Sequence, residues 1–211
     1  MIARDEDRYD YAKGELTEAT VGDDPLALFA RWLEEATDAK VIEPKSCCLS
    51  TATPGGIPSA RFLLLRIFDE RGFAFFSNYD SQKGEEIAAN PHAALTFWWG
   101  ALERQIRIEG ATDRLPESES DEYWMRRPKE SRYASAGSPQ SRVIASREEL
   151  ERRMKTLHDQ FPDDIPRPPN WGGTLIRPRR IEFWQGRRSR AHDRILFTRE
   201  GDGWRRERLA P

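Results

Sequence analysis

Between residues 47 and 111 the chain consists of short segments that have the composition of β-strands. They read "CCLSTAT", "ARFLLLRIF", "FAFFSN", "AALTFWW" and "RQIRIEGA", and they are rich in β-branched or aromatic residues. The turns "PGG" and "DERG" separate the first three. Consecutive strands joined by short turns pair antiparallel, and a set this long predicts a closed or nearly closed barrel.

Helices flank and interrupt this sheet. Asp24 can cap a helix that begins at Pro25, and Leu26, Phe29 and Trp32 start its apolar stripe. Further helices are predicted in "SQKGEEIAAN", at about residues 117–127, and in "SREELE", which contains a capping box. The segments "LIRPRRIEFW", "RILFTRE" and "WRRERLA" predict final strands. The fold class is therefore α+β, an antiparallel β-barrel with surrounding helices.

The domain organisation follows from length and polarity. Residues 1–22 are polar and lack apolar periodicity, which predicts a flexible N-terminal arm, mobile or ordered only by a ligand or partner. Residues 23–211 then form a single domain, because two domains in a chain of 211 residues would each be small.

Composition narrows the functional classes. Lys and Arg total 34 against 36 Asp and Glu, a net charge of −2, so any basic function must be local. No apolar run reaches the roughly 20 residues of a membrane helix, and the charged N-terminus lacks a signal-peptide core, so we expect a soluble, cytoplasmic protein. Cys47 and Cys48 are adjacent and predict reduced thiols, and the three histidines are too scattered for a metal cluster. Rossmann and P-loop motifs are absent from the sequence.

Anion-binding side chains recur on the predicted elements. Arg61 and Arg66 are five apart and would face opposite sides of one regular strand; each could bind a phosphate or form a structural salt bridge. Lys83 lies in the first turn of a predicted helix, and Ser77 lies before the turn that opens it. Unpaired N–H groups, a hydroxyl and an ammonium at a helix start could bind a phosphate, although ordinary helix caps look the same in sequence. Gln105 on a strand could contact a planar heterocycle or lie on the surface.

Two further groups concentrate polar chemistry. Tyr123 and Arg127 are four apart on one helix face, and Pro128 ends the helix so that Ser131 can approach them. This set suits a phosphoester, although a solvated helix end is the alternative. The stretch "IEFWQGRRSRAHDR" brings two aromatics, four arginines and a histidine together, as either a solvated loop or an anion site beside an aromatic floor.

Taken together, these segments resemble the pyridoxine (pyridoxamine) 5′-phosphate oxidase family. The resemblance runs from about Arg8 to the C-terminal "RLAP", and its most specific pieces are "DPLALFARWLEEA", "LERQIRIEG", "QSRVIASREELE", "WGG" and "IEFWQGRRSRAHDR". It implies an FMN-binding split barrel that works as a homodimer with FMN in the interface. It also implies oxidation of pyridoxamine or pyridoxine 5′-phosphate to pyridoxal 5′-phosphate, with O₂ reduced to H₂O₂.

The resemblance also implies roles for individual residues. Arg190 and His192 would be catalytic, covering the pyridine ring opposite the flavin. The FMN set would be Arg61, Phe62, Leu63, Leu64, Leu65, Arg66, Phe76, Ser77, Gln82, Lys83, Gln105, Gln140, Ser141, Trp184 and Arg194. The substrate set would be Arg8, Tyr11, Arg66, Tyr123, Arg127, Ser131, Arg190 and His192. Arg187 and Arg188 would be surface charges.

Some positions depart from the family pattern. Arg66 replaces a usual lysine, Phe76 a common tyrosine and Ala191 a common leucine, and Gln82 replaces a basic residue beside Lys83. The missing cation at position 82 predicts weaker FMN binding, which Gln82→Arg would tighten. Three other functions stay open: a related flavin oxidase of phenazine type, some members of which also read "SQKG"; a non-catalytic flavin- or pyridoxal-phosphate-binding protein; and a nucleic-acid module that uses the Arg-rich C-terminus.

Overall fold

The computed structural model describes residues 10–211. Within this range nine strands form one sheet whose paired neighbours all run antiparallel, so the antiparallel α+β barrel is confirmed. The helices are α1 (Glu18–Val21), α2 (Pro25–Asp38), α3 (Gln82–Ala89), α4 (Glu117–Arg126), α5 (Lys129–Gly137) and α6 (Arg147–Gln160). The strands are β1 (Ser46–Ala52), β2 (Pro58–Leu64), β3 (Ile67–Asp69), β4 (Gly72–Asn78), β5 (His92–Trp99), β6 (Arg104–Arg114), β7 (Trp171–Gln185), β8 (Asp193–Glu200) and β9 (Gly203–Arg208).

The sheet branches at β7. Along one edge β7 pairs with β6; along the other edge its residues 171–176 pair with β4 and its residues 180–185 pair with β8. Pro178 lies between these two pairings, where its missing N–H interrupts neither ladder. The register between β6 and β7 shifts at Gly110, where a Cβ would lie 1.9 Å from the carbonyl oxygen of Arg177. The branch point therefore requires a residue without a side chain.

Helix α2 packs its apolar stripe against the barrel. As predicted, Asp24 caps it: Oδ1 accepts the N–H of Leu26 at 2.8 Å. The Phe29 ring is fully buried, and Trp32 makes an edge contact with Phe183 at a centroid distance of 5.1 Å. Burial of two such aromatics makes α2 an integral part of the core, since each removes about 150–250 Å² from water.

The segment "ARFLLLRIF" differs from its prediction as one strand. β2 ends at Leu64 and β3 begins at Ile67, and the Arg66 N–H donates to the Ala74 carbonyl at 2.9 Å. Arg61 and Arg66 therefore do not share a strand, and the prediction that they face opposite sides of it was wrong. At this break the chain stops pairing with β1 and begins to pair with β4. The alternation of apolar and polar residues does not specify which strand will be the partner.

Helix α5 was not predicted. Pro128, which the sequence suggests as the end of α4, also stands at the N-cap position of α5. Proline stops a preceding helix because it disfavours helical geometry in the residue before it, yet it suits the start of a helix. Ser131 consequently lies in a helix rather than on a returning loop.

The N-terminal segment also differs from the expected flexible arm. Residues 10–22 lie against the barrel, with Leu16 and Val21 each 2% exposed. Two apolar residues in a polar segment gave too weak a periodic signal to predict this docking. Arg8 lies outside the described residues. No helix in the described part of the chain is long and apolar enough to cross a membrane.

Candidate functional site

A cleft of about 380 Å³ opens between β2, β4, the first turn of α3 and the segment before α6. It brings together much of the predicted FMN set. Its lining residues are Ser59, Ala60, Arg61, Phe62, Leu63, Phe76, Ser77, Gln82, Lys83, Gln140 and Ser141.

Lys83 places a buried cation in this cleft. The residue is 8% exposed, and its Nζ lies 3.1 Å from Ser81 Oγ and 3.2 Å from Gln140 Oε1. Among residues 10–211 it forms no ion pair within 4 Å. Burial and the positive charge of Arg61 lower the pKa of Lys83 to about 8. An ammonium held only by neutral oxygens is suited to an anionic ligand.

Arg61 reaches the same cleft from β2 and is held by a network. Its guanidinium donates to Thr51 Oγ1 and Ser59 Oγ, both at 2.5 Å, and lies 3.3 Å from Glu86 Oε2. Gln82 Nε2 donates to the other oxygen of that carboxylate at 2.9 Å. Although burial disfavours ionisation, hydrogen bonds from the two hydroxyls and from Gln82, with the arginine charge, lower the pKa of Glu86 to about 2. Glu86 thus offsets one of the two cations.

An aromatic stack connects the cleft to α4. The rings of Phe76 and Tyr123 are parallel within 11° at a centroid distance of 3.8 Å. Trp171 extends the stack, 5.6 Å from Phe76 and 6.2 Å from Tyr123. Because Phe76 also lines the cleft, its stacking with Tyr123 places that tyrosine next to the cleft.

A second cationic position lies at the C-terminal end of α4. Arg127 Cζ is 4.7 Å from the Trp171 ring centroid, and Nη2 donates to Ser135 Oγ at 2.8 Å. Its Nη1 is buried and has no partner within the described chain. Burial, together with the charges of Arg66 and Arg132, lowers the pKa of Arg127. An unsatisfied guanidinium N–H among other cations is suited to an anion such as a phosphate.

The predicted phosphate set is thus largely brought together, with one residue added. Arg127 interacts electrostatically with both Tyr123 and Arg66. Ser131 lies one turn before Ser135 on α5, so the two hydroxyls share a helix face. Ser135 was not predicted from the sequence, because its position depends on α5, a helix that was not predicted either.

A third group lies at the other end of β7. Gln105 is directly opposite Trp184, which is opposite Arg194, so these side chains project from one face of the sheet. Arg194 Nε donates to Glu182 Oε1 at 2.8 Å and Nη1 donates to the Ala210 carbonyl at 2.8 Å, and the carboxylate raises the pKa of Arg194.

This third group does not line the cleft. Gly173 of β7 pairs with Phe76, whereas Trp184 lies eleven residues further along the strand. In an extended strand that separation spans up to roughly 36 Å. The two groups of the predicted FMN set therefore lie beside opposite ends of β7.

The loop before β8 carries the predicted catalytic pair. The Arg187 N–H donates to Nδ1 of His192 at 3.1 Å, so the neutral imidazole carries its proton on Nε2. Arg190 and the preceding Ser189 have φ values of 60° and 55°, a left-handed backbone that is costly for non-glycine residues and often found at functional sites. Tyr11 packs on His192 with a centroid distance of 5.5 Å.

Several residues fill other roles than the sequence suggested. Leu65 is 1% exposed in the core, so only its backbone can face a ligand, and Leu64 does not line the cleft. Arg187 is not merely a surface charge, since its Nη1 lies 3.2 Å from Glu15 Oε2 and 3.5 Å from Asp193 Oδ2. Arg188 remains mostly exposed.

The fold, the cleft around Lys83 and the cationic position at Arg127 define a split-barrel protein with sites suited to phosphate-bearing ligands. Residues 33–161 match the family model described as pyridoxamine 5′-phosphate oxidase. Residues 171–211 match the model described as the pyridoxine 5′-phosphate oxidase C-terminal dimerisation region. The chain belongs to the pyridoxamine 5′-phosphate oxidase family, and it is an oxidoreductase.

Similar proteins cover nearly the whole chain. The pyridoxine/pyridoxamine 5′-phosphate oxidase of Rubrobacter xylanophilus is 53% identical over 205 residues, 97% of this chain and 94% of that protein. The equivalent Salinibacter ruber protein is 49% identical over 209 residues, 97% of each chain. Among solved structures, PhzG from Burkholderia lata in complex with tetrahydrophenazine-1-carboxylic acid has a TM-score of 0.87 at 33% identity, over 92% of this chain and 95% of that one.

Proposed function

We propose that this protein is an FMN-dependent, cytoplasmic oxidase that converts pyridoxamine 5′-phosphate and pyridoxine 5′-phosphate to pyridoxal 5′-phosphate, with O₂ reduced to H₂O₂. The observation that carries the proposal is a pair of cations without a counter-ion among the described residues: the buried Lys83 in the cleft, and the half-buried Arg127 at the end of the aromatic stack, whose buried Nη1 has no partner. Two separate phosphate sites beside planar aromatic surfaces suit two phosphorylated planar molecules, a flavin and its substrate. The names of the relatives agree with this chemistry.

The cleft residues would hold the flavin phosphate. Lys83 supplies a point charge, and Arg61 supplies a planar fork already oriented by Thr51 and Ser59. When bound, FMN would accept a hydride equivalent and return it to O₂, so the protein needs no nucleophilic side chain. The residues of this chain contribute position, charge and exclusion of water.

The third group, around Trp184, supports a shared site in a homodimer. Gln105, Trp184 and Arg194 cannot reach the cleft of their own chain if they lie at the far end of β7, but a two-fold partner could bring its copy to it. The outer face of the sheet also exposes large apolar side chains, Phe62 at 76% and Trp98 at 51%. Such a face is suited to burial against a second copy. We therefore propose that one chain supplies the phosphate cleft and its partner supplies Gln105, Trp184 and Arg194.

On the substrate side, Arg127, Tyr123, Arg66 and Ser131 would grip the phosphate. His192, whose Nε2 carries the proton, would face the pyridine ring together with Arg190. Their role would be to hold the pyridine ring with C4′ toward the flavin, because a hydride that leaves C4′ makes the ring more positive and creates no negative charge on it for a cation to stabilise. Tyr11 would cover this side, and we extend the proposal to Arg8 from the family resemblance.

The main alternative is a phenazine-type flavin oxidase. Similarity to PhzG favours it, as does the "SQKG" sequence. Against it we set the group of Tyr123, Arg127 and Ser131, because a phenol, a guanidinium and a hydroxyl match the three terminal oxygens of a phosphate better than the two oxygens of a carboxylate.

Turnover assays test the proposal. The FMN-loaded protein should form pyridoxal 5′-phosphate and H₂O₂ from pyridoxamine 5′-phosphate, and Arg127→Ala should raise the KM for that substrate by about 10- to 100-fold, the value of a charge-assisted hydrogen bond. Unphosphorylated pyridoxamine should be a poor substrate for both proteins. Peroxide formation from a dihydrophenazine carboxylate but not from pyridoxamine 5′-phosphate would favour the alternative, and absence of peroxide with either would leave a binding role.

A further inference from the structure

We propose that Glu103 is a positioning residue that docks the N-terminal segment, residues 10–16, against the loop that carries Arg190 and His192. The substrate-related part rests on the proposed function, whereas the docking itself does not. Glu103 lies at the junction of β6 with the preceding 3-10 turn, Gly100–Leu102, and not among the residues assigned to cofactor or substrate.

The contacts of the Glu103 carboxylate define this role. A single oxygen, Oε2, accepts the backbone N–H groups of Ala12 and Lys13, each at 2.8 Å. Lys13 is fixed a second time, because its Nζ donates to the Ala101 carbonyl at 2.8 Å. Two charge-assisted hydrogen bonds to consecutive residues fix both the position and the direction of the segment.

The environment of the carboxylate explains why docking and burial depend on each other. Glu103 is 1% exposed, and no ion pair to it occurs among residues 10–211. A buried carboxylate without a cation requires hydrogen-bond donors, and the donors here come from the N-terminal segment. If that segment leaves, the carboxylate loses both donors and must be hydrated instead. The charge therefore stabilises the docked state specifically.

The backbone of Glu103 reaches the catalytic loop at the same point. Its carbonyl accepts the Gly186 N–H at 2.8 Å, immediately before that loop begins. Glu103 also has a left-handed φ of 57°, a strained conformation for a residue with a side chain. One residue thus holds the N-terminal segment through its side chain and the loop through its carbonyl.

The docked segment places Tyr11 on the site. The Tyr11 ring lies 5.6 Å from the Trp184 ring and 5.5 Å from His192, measured between centroids. The fit is tight: a Cβ at Gly186 would lie 2.7 Å from the tyrosine ring. Loss of the Glu103 contacts should release Tyr11 from two residues of the proposed site without altering the cleft around Lys83.

Glu103→Gln is the direct test, because it keeps the size of the side chain and removes its charge. We expect trypsin cleavage after Lys13 in the FMN-loaded protein to accelerate by about tenfold, as expected for a local opening that loses roughly one charge-assisted hydrogen bond. The KM for pyridoxamine 5′-phosphate should rise by a similar factor, with kcat and the FMN dissociation constant unchanged. Glu15→Gln is the matched control within the same segment, since Glu15 is exposed and its ion pair with Arg187 should contribute little, so both readouts should stay close to wild-type values.

Ala12→Pro tests the same contact from the other side. It removes one of the two donated N–H groups and leaves the barrel unchanged, so it should accelerate cleavage after Lys13 even if the Glu103 variant folds poorly. Wild-type cleavage rates in both variants would overturn the proposal, as would faster cleavage with an unchanged KM. If the wild-type protein does not oxidise pyridoxamine 5′-phosphate, the proposed function fails, while the cleavage rates still test the docking.

Discussion

Single residues set the charge of the cleft. Lys83 is buried without a counter-ion, whereas Arg61 is neutralised in part by Glu86. The cleft therefore favours an anion, because Lys83, the cation without a counter-ion, is more deeply buried than Arg61. Burial of the Lys83 ammonium without a counter-ion destabilises the ligand-free protein, and a bound phosphate would remove this unfavourable free energy.

Replacement of Lys83 tests both its contribution to FMN binding and its destabilising effect on the ligand-free protein. Lys83→Met should weaken FMN binding by about 10- to 100-fold, because one charge-assisted phosphate contact is lost. It should also stabilise the ligand-free protein at pH 7 by on the order of 1–3 kcal/mol, because no uncompensated charge remains buried. Flavin titration and thermal unfolding of the ligand-free variant measure the two effects. A variant that binds FMN as well as the wild type would refute the assigned role.

The pKa of Lys83 predicts how FMN binding depends on pH. A phosphate stabilises the ammonium, so the pKa of Lys83 rises above its ligand-free value of about 8 when FMN binds. Affinity should be constant just below pH 8 and should fall as pH rises above 8, approaching tenfold per pH unit for one proton. Riboflavin, which lacks the phosphate, and the Lys83→Met variant with FMN should both show no such fall between pH 7 and 9.5. A flat profile for wild-type FMN binding would contradict the assignment.

Substitution of Gln82 by arginine should increase the affinity for FMN. Gln82→Arg adds a cation at the mouth of the cleft and can replace the hydrogen bond to Glu86 with an ion pair, which leaves Arg61 less neutralised. Because Gln82 is exposed, the effect should be modest, a dissociation constant for FMN lower by about three- to tenfold. Gln82→Glu is the matched control and should weaken binding. The role would be wrong if the arginine variant bound FMN no better than wild type.

Residue-level roles were predictable where a motif carried them. Ser77, Lys83 and Gln140 were proposed from the resemblance and do line one cleft. Glu86, Ser135 and Glu103 were missed, because an acidic residue in an anion cleft and a serine on an unpredicted helix have no local signature. Their roles arise from contacts between segments far apart in sequence, such as the bond from Ala12 to Glu103.

At the scale of elements, the strands were predictable because their alternation is strong and their turns are short. The break between β2 and β3 was not predictable, since both halves of "ARFLLLRIF" have the composition of a strand. The two halves differ only in their partner, which is β1 for β2 and β4 for β3. Likewise, no periodicity shows the register shift between β6 and β7 at Gly110, which lies where β7 changes its other partner from β4 to β8.

That register shift provides the element-scale prediction. Gly110→Ala would place a Cβ 1.9 Å from the Arg177 carbonyl oxygen, so β6 and β7 must separate where the sheet branches. We expect a loss of roughly 1–3 kcal/mol in the free energy of unfolding, measured by denaturant titration. Gly55→Ala is the control, because its nearest neighbour would lie at 3.8 Å, and its stability should stay within about 0.5 kcal/mol of wild type. Equal stability of the two variants would show that the close approach is not required.

For the whole molecule, the proposed division of the site between two chains can be tested by complementation. Lys83→Met and Trp184→Ala would damage different halves of each site, so each homodimer should be weakly active. Co-expression should produce mixed dimers in which one site is intact, and the mixture should recover up to about a quarter of wild-type activity for random pairing. Differently tagged chains allow the mixed dimers to be purified. Mixed dimers as inactive as both parents would mean that each site is completed within one chain.

The central claim is that this chain uses a bound flavin to oxidise a phosphorylated pyridine. The most direct test is the visible spectrum of the FMN-loaded protein, followed as pyridoxamine 5′-phosphate is added without oxygen and then as air is admitted. We predict that the flavin absorbance bleaches on addition of substrate and recovers in air, with formation of pyridoxal 5′-phosphate and peroxide. A bound flavin that keeps its full absorbance in the presence of pyridoxamine 5′-phosphate would contradict the claim.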